Sequence, residues 1–304
     1  MASPPIDPSL RIGAVHLAVA DLPRSVEFYE GVLGLPLLSG DDTTALLGPD
    51  AQRPALALSA IEQPTPLAPH TTGLFHVAWL HPSRGALADS VRRIARERWP
   101  IEGAADHGVS EALYLSDPDG LGIEIYADRP REQWERPPDG HGVRMATLAL
   151  DLDDLLAQSA LDDVESAPAE HGANGADAGA RIARGTTIGH VHLKVADVPR
   201  AASFYRDMLG FEEQAQLPSA AFLAAGGYHH HVGLNSWQSR GASPAPESAP
   251  ALREIDFELA DGGALAALAE RSGGAPQEPL ALADPDGVRL AFSAASGPAP
   301  SASR

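Results

Sequence analysis

The chain has 304 residues, 44% of them hydrophobic and 21% charged, with a formal net charge of −19; that is core material for two domains. There is no cysteine, which excludes disulfides and thiolate metal sites, so any bound metal must rest on nitrogen and oxygen ligands. The acidity, with Lys194 the single lysine, argues against nucleic acid and against anionic membrane surfaces, both of which require clustered Lys and Arg.

The opening MASPPIDPSL lacks the basic and apolar regions of a secretory signal, and no apolar run approaches the ~18 residues that span a bilayer. A cytoplasmic protein is expected. Residues 12–19 alternate as a strand. Asp21 then caps a helix with Pro23 in its first turn and Val26, Phe28, Tyr29 and Leu33 on one face, and Gly34 ends it. Short strands follow near 36–39, 43–48 and 54–60. The same order restarts with a strand at 73–79, a helix over 82–98 opened by Pro-Ser, and strands near 101–106, 111–116 and 121–126. Asp-Pro-Asp-Gly at 117–120 supplies a hairpin turn.

Residues 130–141 are Pro-rich, a short helix is expected within 144–160, and 164–181 has the composition of a flexible linker. The text then repeats. IGAVHLAVADLPRSVEFYEGVLG at 12–34 returns as IGHVHLKVADVPRAASFYRDMLG at 188–210, with most positions identical and no gap. SDPDGLGIEIY at 116–126 is echoed by ADPDGVRLAFS at 283–293. The expected organisation is a domain at 1–130 carrying a metal site, a partly disordered linker at 131–185, a second domain at 186–296 and a flexible tail at 297–304. Each half holds two β-α-β-β-β units, giving an α+β fold of four units.

His16 in AVHLAV, His76 in LFHVAW and Glu124 in IEIY are polar residues set mid-strand among apolar neighbours. Unpaired in a core, each would cost a few kcal/mol. Two imidazoles and a carboxylate at equivalent strands form a facial triad that leaves three coordination positions open and suits Fe(II), with Mn(II) the alternative. In the C-terminal half His192 corresponds to His16, Glu254 stands opposite His76 and Ala291 opposite Glu124. GGYHHHVGLNSW at 226–237 reads as a strand on which Tyr228 and His230 share one face. His192, His230 and Glu254 are the residues of a second candidate metal site.

The stretch from His107 through Leu113, Tyr114, Pro118 and Gly120 to Glu124 resembles the signature of type I extradiol ring-cleaving dioxygenases, in the vicinal oxygen chelate superfamily; Ala105, two residues before His107, departs from it. VHLAVAD…FYEGVLGL and GGYHHHVGLN are similar to bacterial catechol 2,3-dioxygenase-like proteins of that superfamily. The resemblance implies four modules paired into two cup-shaped half-barrels. It implies Fe(II) on His16, His76 and Glu124, with His107 and Tyr114 lining the substrate site. The partners would be a small aromatic, catechol-like substrate and O₂, with a homo-oligomer left open. In the family a histidine near the position of His230 serves as acid and base. The N-terminal half has Pro54-Ala55-Leu56-Ala57 there, so His70 is the stand-in candidate. A glyoxalase-like metal-dependent isomerase or transferase, and a non-catalytic small-molecule-binding protein of the same superfamily, are the competing functions.

Overall fold

A computed structural model of the chain describes residues 4–138, 140–160, 181–275 and 277–295. Residues 161–180 of the expected linker and the expected tail at 297–304 lie outside the described residues. The first unit is β1 (Arg11–Val19), α1 (Leu22–Gly31), β2 (Leu37–Gly40), β3 (Thr44–Leu47) and β4 (Leu56–Ala60). The second is β5 (Gly73–His81), α2 (Arg84–Arg96), β6 (Gly103–Asp106), β7 (Ser110–Ser116) and β8 (Gly122–Asp128). The third holds β9 (Thr187–Lys194), the helix Val198–Ser203, β10 (Glu212–Leu217), β11 (Ala220–Ala224) and β12 (Val232–Asn235). The fourth holds β13 (Ala251–Leu259), the helix Gly262–Ser272, β14 (Leu280–Ala283) and β15 (Arg289–Ala294).

The helix starts follow the capping residues in the sequence. Asp21 accepts from the Arg24 N–H, Ser83 from the Ala86 N–H and Asp197 from the Arg200 N–H, each supplying an orphan donor of the first turn with a partner. The short helix expected within 144–160 is Leu152–Leu156. No helix among the described residues is long and apolar enough to cross a membrane.

In every unit the first strand pairs in parallel with the last: β1 with β4, β5 with β8, β9 with β12 and β13 with β15. The units are then joined by two antiparallel seams, β1 with β13 and β5 with β9. The first unit therefore pairs with the fourth, and the second with the third. The sequence halves 1–130 and 186–296 do not each close a cup of their own; each cup draws one unit from either half. Ile12 against Ile188 joins the two sheets.

The two most repeated pieces of sequence meet in space and explain one another. Tyr29, from the FY of α1, donates its hydroxyl to Asp117 of the 117–120 turn (3.1 Å), and Tyr205 does the same to Asp284 (3.2 Å). Asp117 also accepts from the N–H groups of Asp119 and Leu121, as Asp284 does from those of Asp286 and Val288. These contacts tie unit one to unit two and unit three to unit four, at right angles to the logic of the seams.

Burial pushes the Asp117 and Asp284 carboxyls up to about 6 against the pull of those hydrogen bonds. Between about pH 4 and 6 the folded chain holds protons that the unfolded chain has already released, so each aspartate lowers stability as the pH rises through that window. Asp117→Asn keeps an acceptor oxygen for the turn and removes the charge. Its stability relative to wild type is expected to improve from pH 4 to 7 by on the order of 2–3 kcal/mol. Urea midpoints measured across that range check this; a variant that tracks wild type throughout contradicts it.

Candidate metal centre

The β5–β9 seam determines which polar side chains meet. On β5, Ala78 stands opposite His190 of β9 on one side and opposite Glu124 of β8 on the other. His76, two residues earlier on the same face, stands opposite His192. The methyl of Ala78 leaves open the space over the middle strand, and the flanking carboxylate and imidazole close over it. The Glu124 Oε2 lies 2.9 Å from the His76 Nε2 and 3.1 Å from the His190 Nε2, with all three residues buried.

Burial pushes the Glu124 carboxyl up, and the His190 and His76 imidazoles beside it more than offset that, leaving it well below the usual carboxylate range. Burial likewise carries His190 down to about 4, against the attraction of Glu124. An ionised carboxylate beside a neutral imidazole is the state in which these groups ligate a metal.

The donors fit such an ion. The His76 Nε2, close as it is to Glu124, is buried and makes no hydrogen bond of acceptable direction, while the His190 nitrogen that faces the centre, Nε2, meets only Glu124. Orphaned buried nitrogens of this kind are costly unless something else satisfies them. Bonds of about 2.1 Å at right angles place neighbouring donor atoms about 3.0 Å apart, which matches both separations from Glu124.

Around this centre lie the remaining polar groups of the cup. Tyr114 of β7 is the cross-strand partner of Glu124. The Ala146 carbonyl takes the Nδ1–H of His107 (2.7 Å), so the His107 Nε2 accepts from the Tyr114 hydroxyl (2.6 Å). Burial, then the charge of Glu124, pushes that hydroxyl up from its ordinary value. His230 stacks on His190 with ring centres 3.9 Å apart. Burial first, then the surrounding imidazoles, pushes His230 well below the ordinary histidine range. Phe75, Phe222 and the half-exposed Trp237 pack their rings against His76, His192 and His230 and make the apolar wall.

The sequence trio is thus corrected in one member. His76 and Glu124 are together, but His16 is not with them. It sits on the other seam, where its Nε2 meets Asp256 at 2.9 Å and where Glu254 is its cross-strand neighbour. Hydrogen bonding to Asp256 raises the pKa of His16, and Arg289 pairs with Glu254 at 2.9 Å. His16, Glu254 and Asp256 thus form a second, half-buried group with donor atoms close enough for an ion. The second set read from the sequence is likewise divided: His192 and His230 belong to the β5–β9 cup and Glu254 to the other. Nor is 226–237 one strand. Gly226 and Gly227 turn with φ of 60° and 66°, so the extended run begins only at Val232 and the three histidines precede it. His70 lies in an exposed loop against the Gln238 carbonyl.

His190 is the residue that sequence reasoning missed. The repeat matched β9 to β1 and set His190 against Ala14. Matching β9 to β5 sets His190-Val191-His192 against His76-Val77-Ala78, and that register carries the signal. Gly189 beside it is required by close approach, since a Cβ there would stand 1.7 Å from the Tyr126 hydroxyl.

The sequence model of the Glyoxalase/Bleomycin resistance protein/Dioxygenase superfamily matches residues 11–125 and 187–292, and the chain belongs to that superfamily. It is 41% identical over 244 residues to the catechol-2,3-dioxygenase of Bacillus subtilis (strain 168), covering 79% of this chain and 80% of the relative. It is 27% identical over 142 residues to biphenyl-2,3-diol 1,2-dioxygenase 3 of Rhodococcus globerulus, covering 45% of this chain and 73% of that one. Glyoxalase I from Zea mays shares the fold with a TM-score of 0.53 at 17% identity, over 93% of this chain and 92% of that chain. The chain is an enzyme of the dioxygenase branch of this fold.

His190→Ala is expected to abolish stoichiometric metal uptake, whereas His16→Ala keeps it. Elemental analysis of anaerobically loaded protein separates the two. Loss in His16→Ala with retention in His190→Ala would restore the trio read from the sequence.

Proposed function

We propose that this protein is an Fe(II)-dependent extradiol dioxygenase that opens the ring of a catechol-like aromatic. The observation that carries the reading is one buried cup in which Glu124 lies between His76 and His190, with His230 on one side and the His107–Tyr114 pair on the other. The 41% identity to a catechol-2,3-dioxygenase supports it. His76, Glu124 and His190 would hold the metal. Bound there, a divalent iron would supply the means of passing charge from an electron-rich ring to O₂.

The remaining steps belong to the protein. The apolar wall of Phe75, Phe222 and Trp237 receives the face of the ring and keeps bulk water from the centre. The Tyr114 hydroxyl donates to His107, so its oxygen is free to accept from a substrate hydroxyl and orient it. His230, held neutral by burial, takes the proton of the second hydroxyl and is placed to return one later. Both atoms of O₂ enter the product as one carbon–carbon bond beside the diol breaks, so no external reductant is needed.

Protein loaded anaerobically with Fe(II) and then given catechols and O₂ should yield the yellow ring-opened product with both atoms of labelled O₂ incorporated. Iron-loaded protein that turns over none of a broad catechol panel, or that takes up zinc or nickel in preference to iron, would overturn the reading. Tyr114→Phe is expected to lower kcat by about 10- to 100-fold through loss of one charge-influenced hydrogen bond. His230→Phe should lower it by about 10²- to 10⁴-fold. Both variants should keep their iron.

A further inference from the structure

Behind His230 runs a line of polar groups, buried at His229, Tyr228 and Tyr126 and half-buried at Asp128, that the proposed reaction leaves unused. Asp128 ends β8, four residues beyond Glu124 and on the same face. Its Oδ1 lies 2.9 Å from the His229 Nε2, and the His229 Nδ1 lies 2.8 Å from the Nδ1 of His230. The Tyr228 hydroxyl donates to the same Asp128 oxygen at 3.3 Å and accepts from the Tyr126 hydroxyl at 2.7 Å. His229 is fully buried, and Trp134 and Tyr228, with Arg131 over both rings, cover it.

We propose that Asp128 and His229 are positioning residues that fix the tautomer of His230, so that His230 turns a bare Nε2 toward the substrate. The argument is a count of protons. A carboxylate only accepts, so the His229 nitrogen facing Asp128 must carry a hydrogen. With that single proton on the ring, the Nδ1 of His229 keeps its lone pair. Two bare nitrogens 2.8 Å apart would repel, so the single proton between the rings sits on the Nδ1 of His230. The Nε2 of His230 is left as an acceptor, as a base for a substrate hydroxyl must be. The opposite assignment would set a lone pair of His229 against the Asp128 carboxylate, two acceptors 2.9 Å apart. Tyr228, itself accepting from Tyr126, donates into the same oxygen and holds it in its accepting role.

The kinetic part of this inference rests on the ring-cleavage reading; the tautomers do not. ¹⁵N-histidine NMR of the metal-free protein should show hydrogen on the Nε2 of His229 and on the Nδ1 of His230. Hydrogen on the Nε2 of His230 would overturn the proposal whatever reaction the protein catalyses. In the iron-loaded enzyme, His229→Phe should lower kcat by about 10- to 100-fold, with KM and iron content little changed. His229→Gln should recover most of that loss, because one amide can donate to Asp128 and accept from His230. Equal losses in the two variants, or none in either, would count against the proposal. Should His229→Phe not fold, the NMR assignment of wild type still decides. A wild-type protein with the expected tautomers and no ring cleavage would sink the function and leave the tautomer assignment standing.

Discussion

The register of the β5–β9 seam is the constraint on which the site depends. It sets Ala78 between Glu124 and His190, and His76 beside His192. Because side chains alternate along a strand, a slip of one residue would send every one of these groups to the opposite face. The register is held by what lies behind it. Val77, Trp79, Val191 and Leu193 are buried on the other face of the same two strands and admit no such slip. The polar face is thus set by apolar packing on its reverse, and a costly cluster of buried imidazoles is tolerated because the sheet beneath it is already determined.

Much of this was legible in the sequence, for a reason visible in the structure. The FY of the first helix and the DPDG turn recur because they touch, Tyr29 on Asp117 and Tyr205 on Asp284, and a change in either would strand a buried carboxylate or hydroxyl. The unit order, the helix caps and the pairing of His76 with Glu124 could be read because each depends on local spacing or on one parallel strand pair. The place of His190 beside them could not. His190 reaches the centre across a seam between units from different halves, and nothing in the spacing of one half records which strand lies across it. The repeat even pointed away, since it matched His16 to His192. His230, grouped in the sequence with Glu254, escapes for the same reason: it is remote from Glu124 along the chain and comes near it only through β9, where its ring lies against His190.

The chemistry of the cup is graded by what each nitrogen touches. His107 has both nitrogens engaged, by a carbonyl and by Tyr114, and so is fixed in one state. His229 is fixed between Asp128 and His230. His76, His190 and His192 each keep a nitrogen without a hydrogen-bond partner. Burial holds His190 neutral in readiness, while the Glu124 carboxyl stays ionised between its neighbours.

The two seams also bear on how such a chain could arise. Unit one against unit four and unit two against unit three is the contact pattern of two identical halves related by a two-fold axis, each half lending one unit to each cup. A single half would have built the same pair of cups as a dimer with two equivalent centres, and no sequence change could have been confined to one of them. Joined in one chain, the halves became free to diverge. One seam kept imidazoles and a carboxylate around an open centre. The other carries His16 against Asp256 and Glu254 against Arg289, a half-buried group of one imidazole and two carboxylates in place of two imidazoles and one.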